Sequence, residues 1–253
     1  TGTHRVGPHD HGSQPARHWV RRPVRWHLTI PPPHASFSDE IHRACPEGPA
    51  GAFDPEVLGV ASALGIRKGQ PVSLEGPRRE KFEEAAATGS AYARAVAFAP
   101  RNPAAYLYGE ENSKWFTLFP EWDYRFLVDD GAGGTDMDSR LAFFYVATVN
   151  TPAMVWRIPG VGSQYAIIAR DANGEWFDGN QTYTLRIPAD VPAKNFWSFV
   201  IYDPQTRSML QTPDQKFPSV NSMREGLRPE PEGTVMLNVG PQRPAEGGAH
   251  WVQ

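Results

Sequence analysis

The spacing of apolar residues changes near residue 104, from helical intervals to short continuous runs. Before that point, apolar side chains recur every three or four positions in two stretches. Asp54-Pro55 is a favourable helix start and Gly65 a favourable helix end, which predicts a helix with an apolar face between them. A second helix is predicted over 78–98. We expect these helices to form a small layer that packs against a sheet.

After this change, short runs of β-branched and aromatic residues predict strands, and frequent Pro and Gly residues predict the turns between them. Asn173-Gly174 is the strongest turn signal, because both residues accept the backbone conformation of a tight hairpin. Besides the run described next, the predicted strands cover 105–109, 114–119, 124–128, 153–157, 163–170, 182–187 and 234–239.

The longest apolar run, 196–202, is nearly unbroken, which favours a strand buried on both faces. Asp203-Pro204 ends this strand, because proline has no backbone N–H and favours a turn. The chain is predicted to return as a partner strand over 208–212. We expect this hairpin to form the centre of a β-rich domain.

A third helix is predicted over 136–148, after an acidic, glycine-rich loop. Thr135 would cap this helix, and aspartates in its first turn would complement the helix dipole. The loop also permits a calcium site, because calcium binds several oxygen ligands, although the spacing does not match an EF-hand. The side chains that would point inward are Leu141, Phe144 and Tyr145, and the calcium interpretation would use Asp129, Asp130, Asp136 and Asp138.

Composition and charge narrow the class of protein. The 253 residues include 25 Pro and 23 Gly, with 40% hydrophobic and 21% charged residues, as expected for a folded chain with many turns. The net charge is -3 and the sequence has no basic run, so the charge pattern does not predict nucleic-acid binding. The single cysteine, Cys45, excludes an intrachain disulfide. No stretch approaches the roughly 20 apolar residues of a membrane helix, and the N-terminus lacks the apolar core of a signal peptide.

A tyrosine, a carboxylate and an arginine lie together in the central hairpin. Sequence motifs for a serine nucleophile, a zinc helix or a phosphate loop are absent. Tyr202 and Asp203 could perform acid–base chemistry beside Arg207 if burial shifted their pKa values. The alternative is structural: Asp203 caps the turn, Arg207 forms an ion pair and Tyr202 packs.

Aromatic residues give a second candidate surface. Trp176, Tyr183, Trp197 and Tyr202 lie in adjacent predicted strands and hairpins, where a concave sheet could stack sugars or other flat ligands. The first three are the candidate ligand-binding residues. Packing in the core of a sandwich is the alternative. His9-Asp10-His11 could contribute zinc or copper ligands, although a loose terminal segment also explains it. We therefore assign no metal site and no cofactor.

Six sequence motifs carry a family resemblance. They are GVASALGIRKGQ at 59–70, SRLAFFY at 139–145, TPAM at 151–154, GVGSQY at 160–165, FWS at 196–198 and YDPQTRSMLQT at 202–212. Together they resemble bacterial proteins with paired domains of unknown function 1254 and 1214. The resemblance runs from about residue 37 to residue 253, and its last motif is long and specific.

The resemblance implies a fold but no catalytic residues. It implies jelly-roll β-sandwiches decorated by helices in an exported bacterial protein, and thus a mainly β fold with a small helical layer. We expect an irregular segment over 1–35, a remnant of the 1254-type domain over 36–135, and a 1214-type sandwich over 136–253. Residues 1–33 do not resemble the family's first domain, and the final strand of relatives is missing, which would expose a sheet edge to another chain.

Three functions remain open from the sequence. The first is a binding protein for a carbohydrate or small organic ligand on the aromatic surface. The second is a hydrolase or lyase centred on Tyr202, Asp203 and Arg207. The third is a structural protein that associates with copies of itself. No nucleic-acid partner and no membrane span are expected.

Overall fold

Three α-helices and five β-strands form within the part of the chain that the computed structural model describes. That part comprises residues 36–37, 40, 54–70, 73–120, 122–147, 161–213, 215, 217–245 and 250–253, within a unit spanning 32–253. In chain order the elements are α1 Pro55–Ala63, α2 Pro77–Phe98, α3 Met137–Ala147, β1 Tyr183–Ile187, β2 Ser198–Val200, β3 Ser219–Asn221, β4 Val235–Val239 and β5 Trp251–Val252. The predicted strand over 153–157, Cys45 and His9-Asp10-His11 lie outside the described residues.

Helix α1 has the predicted ends but not the predicted packing. The carboxylate of Asp54 accepts a hydrogen bond from the Glu56 backbone N–H at 2.8 Å, which confirms the N-cap. The apolar side chains of α1 were expected to face the core. Instead, none of its residues is buried, and Val60 is 65% exposed. The apolar spacing therefore predicted the helix correctly and its environment wrongly.

Helices α2 and α3 pack together around small side chains. Val96 and Ala97 of α2 contact Ala142 of α3, and all three are buried. Alanine lets the two backbones approach closely while larger residues close the surrounding gaps. The partly buried residues around this cluster, which we call the helix cluster, are Phe98, Leu118, Leu141, Tyr145 and Val146.

The predicted start and inner face of α3 need correction. Asp136, not Thr135, caps the helix, because its Oδ1 accepts the Ser139 backbone N–H at 2.9 Å. Thr135 instead forms a β-bridge with Leu127. Of the predicted inward residues, Leu141 and Tyr145 do pack on the helix cluster, but Phe144 is 40% exposed and Phe143 is buried in its place. A shift of one residue along a helix turns a side chain by about 100°, which explains this error.

The strands predicted over 105–109, 114–119 and 124–128 do not form as continuous ladders. Isolated bridges join Tyr106 to Phe116 and Phe116 to Ile167. The ring of Phe116 is 1% exposed, and the run begins with a 3-10 helix at Pro103–Ala105. The buried apolar residues of this region, Ala105, Phe116 and Phe126, are therefore covered through loop packing rather than through sheet pairing.

Two small sheets share one apolar cluster. In the first sheet β4 lies between β1, which is antiparallel to it, and β5, which is parallel. In the second, β2 pairs with β3 in antiparallel register. The cluster between them, which we call the sheet cluster, has four buried members: Val220, Val235, Leu237 and Val252.

The centre of the strand region is β4 rather than the 196–202 run. Leu237 of β4 is fully buried, and β4 has a paired neighbour on each side. In contrast, β2 covers only Ser198–Val200 and has the burial pattern exposed, partly buried, partly buried. Aromatic and β-branched residues mark strands that can be buried, but the number of paired neighbours is a tertiary property.

The described residues form a mixed α/β fold with modest strand content. This corrects the expectation of a mainly β protein, because several predicted strands are only bridges. The division between 36–135 and 136–253 stays a prediction, and the packing of α2 on α3 crosses it.

Candidate functional site

The Asn173-Gly174 turn forms a hairpin that presents Trp176. The backbone N–H of Asp171 donates to the carbonyl of Glu175 at 2.8 Å, and Gly174 has a φ of +86°. The carboxylate of Asp171 also accepts the N–H groups of Asn173 and Glu175. These bonds confirm the predicted turn and fix the position of the residues that follow it.

Arg170 and Trp176 face each other across this hairpin. They form an antiparallel bridge, and the guanidinium carbon of Arg170 lies 4.2 Å from the centroid of a Trp176 ring. The Trp176 side chain is nevertheless 53% exposed. A cation–π contact of this kind restricts the motion of an exposed ring without covering all of it.

A small cleft lies against the same arginine. Its volume is about 10 Å³, which is room for roughly one water molecule. Nε of Arg170 is buried there without a hydrogen-bond partner in the described part of the chain. Burial, and then the charge of Glu110, raise the pKa of Tyr106, while Arg170 lowers it. The residues lining the cleft are Phe98, Tyr106, Glu110, Lys114, Phe116, Ala169 and Arg170.

Two further aromatic residues lie next to the hairpin. Phe177 is 44% exposed and packs edge-on against Tyr183 at 4.9 Å between ring centroids. The hydroxyl oxygen of Tyr183 accepts the Asp178 backbone N–H at 2.8 Å, which ties β1 to the hairpin. We call Arg170, Trp176, Phe177 and Tyr183 the Trp176 surface.

Trp197 has a different environment from the other two predicted ligand-binding residues. It is partly buried and packs against the sheet cluster. Its backbone N–H donates to the hydroxyl of Ser222 at 3.2 Å. Of the three predicted residues, Trp176 thus lies on the hairpin, Tyr183 lies in β1 and contacts Phe177, and Trp197 has a packing role.

The predicted catalytic residues lie around one turn but face different partners. Tyr202 is 57% exposed and bridges to Met209 across the hairpin. The carboxylate of Asp203 accepts the Thr206 and Gln205 backbone N–H groups at 2.6 and 2.9 Å. Arg207 lies over the ring of Tyr145, at 4.2 Å from its centroid.

The contacts of Asp203 determine the protonation state of its carboxyl group. The hydrogen bond from the Thr206 backbone lowers the pKa of Asp203, with further help from Gln205 and the charge of Arg94, against a smaller effect of burial. The carboxylate is thus ionised and engaged in the turn, as the structural interpretation expected. A hydrolase or lyase centred on Tyr202, Asp203 and Arg207 stays a prediction.

The acidic loop supplies structural contacts rather than a metal cluster. Asp136 accepts hydrogen bonds from Ser139 and Asn102, and Asp138 pairs with Arg101. Across the described ranges, no three His, Cys, Asp or Glu side chains converge in a way that could hold a metal ion. Nor does any helix in those ranges have the length and apolar character needed to span a membrane.

Sequence reasoning missed Arg170. The sequence analysis singled out Trp176 on one side of the hairpin and did not consider Arg170, which lies opposite it. The Asn173-Gly174 signal predicted the hairpin but not its register, because a two-residue turn there would place Asp171 opposite Trp176. The structure instead has a three-residue loop over 172–174, which pairs Asp171 with Glu175 and Arg170 with Trp176.

Comparison with known proteins supports part of the family resemblance. Residues 162–253 match the profile of a family described as a protein of unknown function, DUF1214. The comparisons do not show the 1254-type domain that the family resemblance implies. No curated protein matches the chain.

One solved structure similar to this chain is the VPA0106 protein from Vibrio parahaemolyticus. The sequences are 16% identical, the TM-score is 0.41, and the match covers 85% of this chain and 47% of the other. The chain therefore spans about half the length of that relative.

Proposed function

We propose that this protein binds a carbohydrate or small organic ligand on the Trp176 surface. The proposal includes the finer fold prediction, a β-sandwich of jelly-roll type over 136–253. The sheet cluster supports that part, because residues from both small sheets pack on one another there. The DUF1214 match over 162–253 includes every residue of the Trp176 surface.

The exposed, oriented ring of Trp176 is the observation that carries the proposal. An indole group contributes a large apolar area, so leaving 53% of it in water forgoes favourable burial. The hairpin and the Arg170 guanidinium hold the ring in place before any ligand arrives. Preorganisation of this kind reduces the entropy lost on binding.

Polar groups beside the ring could select the ligand. Arg170 contacts the Trp176 ring and also lines the small cleft. Lys114 and Glu110 line the same cleft. The cleft holds about one water molecule, so a ligand would lie on the surface and direct a single polar group into it. This arrangement suits a sugar ring or a small hydroxylated acid better than a large apolar molecule.

Titration of the whole chain with defined probes tests the proposal. The probes are cellobiose, maltose, N-acetylglucosamine, galacturonate and succinate, and the readouts are calorimetry and tryptophan fluorescence. Binding of at least one probe is expected, with a loss of about tenfold or more in affinity in Trp176→Ala. Phe196→Ala is the matched control, because Phe196 is 52% exposed and lies outside the Trp176 surface. Unchanged affinity in Trp176→Ala, or no binding of any probe, would contradict the proposal.

Self-association is a second candidate function, favoured by a different observation. Several large apolar side chains of the DUF1214-matching region are strongly exposed, including Tyr165 at 76% and Met223 at 71%. Among the described strands, β1 also has only one paired neighbour. Exposed apolar patches and free strand edges both favour contacts with another chain. Light scattering after size exclusion should show a concentration-dependent oligomer, and a monomer at high concentration would argue against it.

A further inference from the structure

Arg207 carries two buried nitrogen atoms that have no hydrogen-bond partner in the described structure. These atoms are Nε and Nη2. Buried polar groups are almost always paired, and a buried cation without a partner is unfavourable in a folded protein. The ion pairs of the described residues involve Arg79, Lys81, Arg101, Arg125 and Arg186, and not Arg207. The predicted structural ion pair is thus not formed within that part of the chain.

The two nitrogen atoms belong to the same edge of the guanidinium group. On that edge the N–H bonds of Nε and Nη2 run nearly parallel, so they match two oxygen atoms of one carboxylate or phosphate. One unpaired nitrogen would suggest a single water molecule. A complete unpaired edge indicates a ligand with two adjacent acceptors.

The arginine is held from both its backbone and its side chain. Its φ is +59°, in the left-handed region, and its backbone N–H donates to the Asp203 carbonyl at 2.8 Å. The guanidinium plane lies over the Tyr145 ring of α3 at 4.2 Å. A non-glycine residue in this conformation is strained, and such strain is concentrated at functional sites.

The carboxylate of the same turn is already engaged by the turn itself. Asp203 accepts hydrogen bonds from Thr206 and Gln205, and Arg94 of α2 lies close enough to lower its pKa. The turn therefore fixes Arg207 in place without neutralising it. The ring that faces the guanidinium group is Tyr145 of α3.

We propose that Arg207 binds an oxyanion through Nε and Nη2. The Tyr145 ring packs against one face of the guanidinium group and holds it in position. The shared chemistry is a pair of oxygen acceptors, which either a carboxylate or a phosphate group supplies. The site uses none of the residues of the Trp176 surface, so its success or failure is independent of the function proposed above.

Nitrogen-15 NMR of the full chain, in Tris chloride at constant ionic strength, tests the site directly. The Nε–H signal of Arg207, assigned by its loss in Arg207→Lys, is followed during separate titrations with succinate and with inorganic phosphate. A saturable shift of this signal is expected with at least one probe, and the responding probe identifies the class of oxyanion. No shift with either probe would overturn the proposal, and this readout needs only the wild-type fold.

Calorimetry with the responding probe gives the second measurement. Arg207→Lys keeps the positive charge but loses the parallel pair of donors, so affinity should fall at least about tenfold. Arg186→Lys is the matched control, because Arg186 is 68% exposed and its distance to Glu232 is 3.9 Å. Equal affinities for wild type and Arg207→Lys would also overturn the assignment, because charge alone would then explain binding.

Discussion

The hydroxyl of Tyr92 donates a hydrogen bond to Oδ1 of Asp138 at 2.6 Å, and this contact joins α2 to the first turn of α3. Arg101 donates to the other oxygen of the same carboxylate at 2.7 Å. The three residues lie at the solvent-exposed edge of the contact between the helices. The hydrogen bond to Asp138 raises the pKa of Tyr92, with smaller contributions from burial and from the negative charge, against the opposing effect of Arg101.

We expect Tyr92→Phe to lower stability at neutral pH, and the effect to disappear in alkaline solution. A raised folded pKa means that the hydrogen bond contributes fully below the unfolded tyrosine pKa of about 10, and that its contribution is lost as pH rises through the folded pKa. Urea midpoints at pH 8 and above pH 10 measure the difference. Tyr108→Phe is the control, since Tyr108 is 68% exposed. A difference between wild type and Tyr92→Phe that grew with pH would contradict this prediction.

Asp136→Ala should destabilise the protein by about 1 kcal/mol, because it removes the N-cap of α3. The side chain also accepts hydrogen bonds from Asn102 at 2.7 Å and from the Ser139 hydroxyl at 2.8 Å. Denaturant unfolding measures the change. Asp190→Ala, at an exposed carboxylate, should change stability by less than roughly 0.5 kcal/mol. Equal losses in the two variants would show that the cap contributes nothing specific.

The same carboxylate should make stability depend on acid. Burial opposes its charge, but hydrogen bonds from Ser139 and Asn102 outweigh burial and lower the pKa of Asp136. A lowered folded pKa gives stability that is fully present above the unfolded value of about 3.9 and is lost as pH falls through the folded value. Wild type and Asp136→Asn should therefore differ at pH 6 and converge near pH 2. A difference in unfolding free energy between wild type and Asp136→Asn that stayed constant from pH 6 to pH 2 would show that Asp136 is not the source of the acid dependence.

Gly174→Ala should cost about 1 kcal/mol, because a Cβ is disfavoured at a φ of +86° although no atom lies within 4 Å of its position. The strain should also shift the fluorescence of Trp176, two residues further on. Gly179→Ala is the matched control, since its Cβ also meets nothing and its φ is not in the left-handed region. That variant is expected to be neutral or slightly more stable. A neutral Gly174→Ala would mean that the turn adopts another conformation.

Leu237→Ala should cost about 2–5 kcal/mol, because the side chain is fully buried in the sheet cluster and its removal leaves a cavity. The same change at Leu64, which is 50% exposed, should stay within roughly 0.5 kcal/mol. Thermal and urea unfolding distinguish the two sites. Comparable losses at Leu64 and Leu237 would contradict the position assigned to the core.

Local features of the fold were predictable from the sequence and non-local ones were not. Asp54-Pro55 and Asn173-Gly174 each act within a few residues, and the helix start and the hairpin were predicted correctly. The contact between Tyr145 and Arg207 links positions 62 residues apart along the printed sequence, and no spacing rule encodes it. The parallel pairing of β5 with β4 is equally non-local.

The candidate sites were likewise predictable only where they depend on residues that are neighbours in the sequence. An exposed Trp176 beside an Asn-Gly turn was a reasonable expectation, because the turn and the residue are neighbours in sequence. The packing of Trp197 into the sheet cluster depended on which strands paired, and its predicted surface role had no local signal against it. The unpaired edge of Arg207 became visible only when the positions of its neighbours were known.

The separation of the two apolar clusters has a consequence for unfolding. The helix cluster and the sheet cluster share no described residue, so each can lose its protection against amide hydrogen exchange without the other. Arg207 extends from the hairpin after β2 to Tyr145, which packs on the helix cluster. Strengthening that contact would couple the opening of the two clusters more closely, and weakening it would let them exchange more independently.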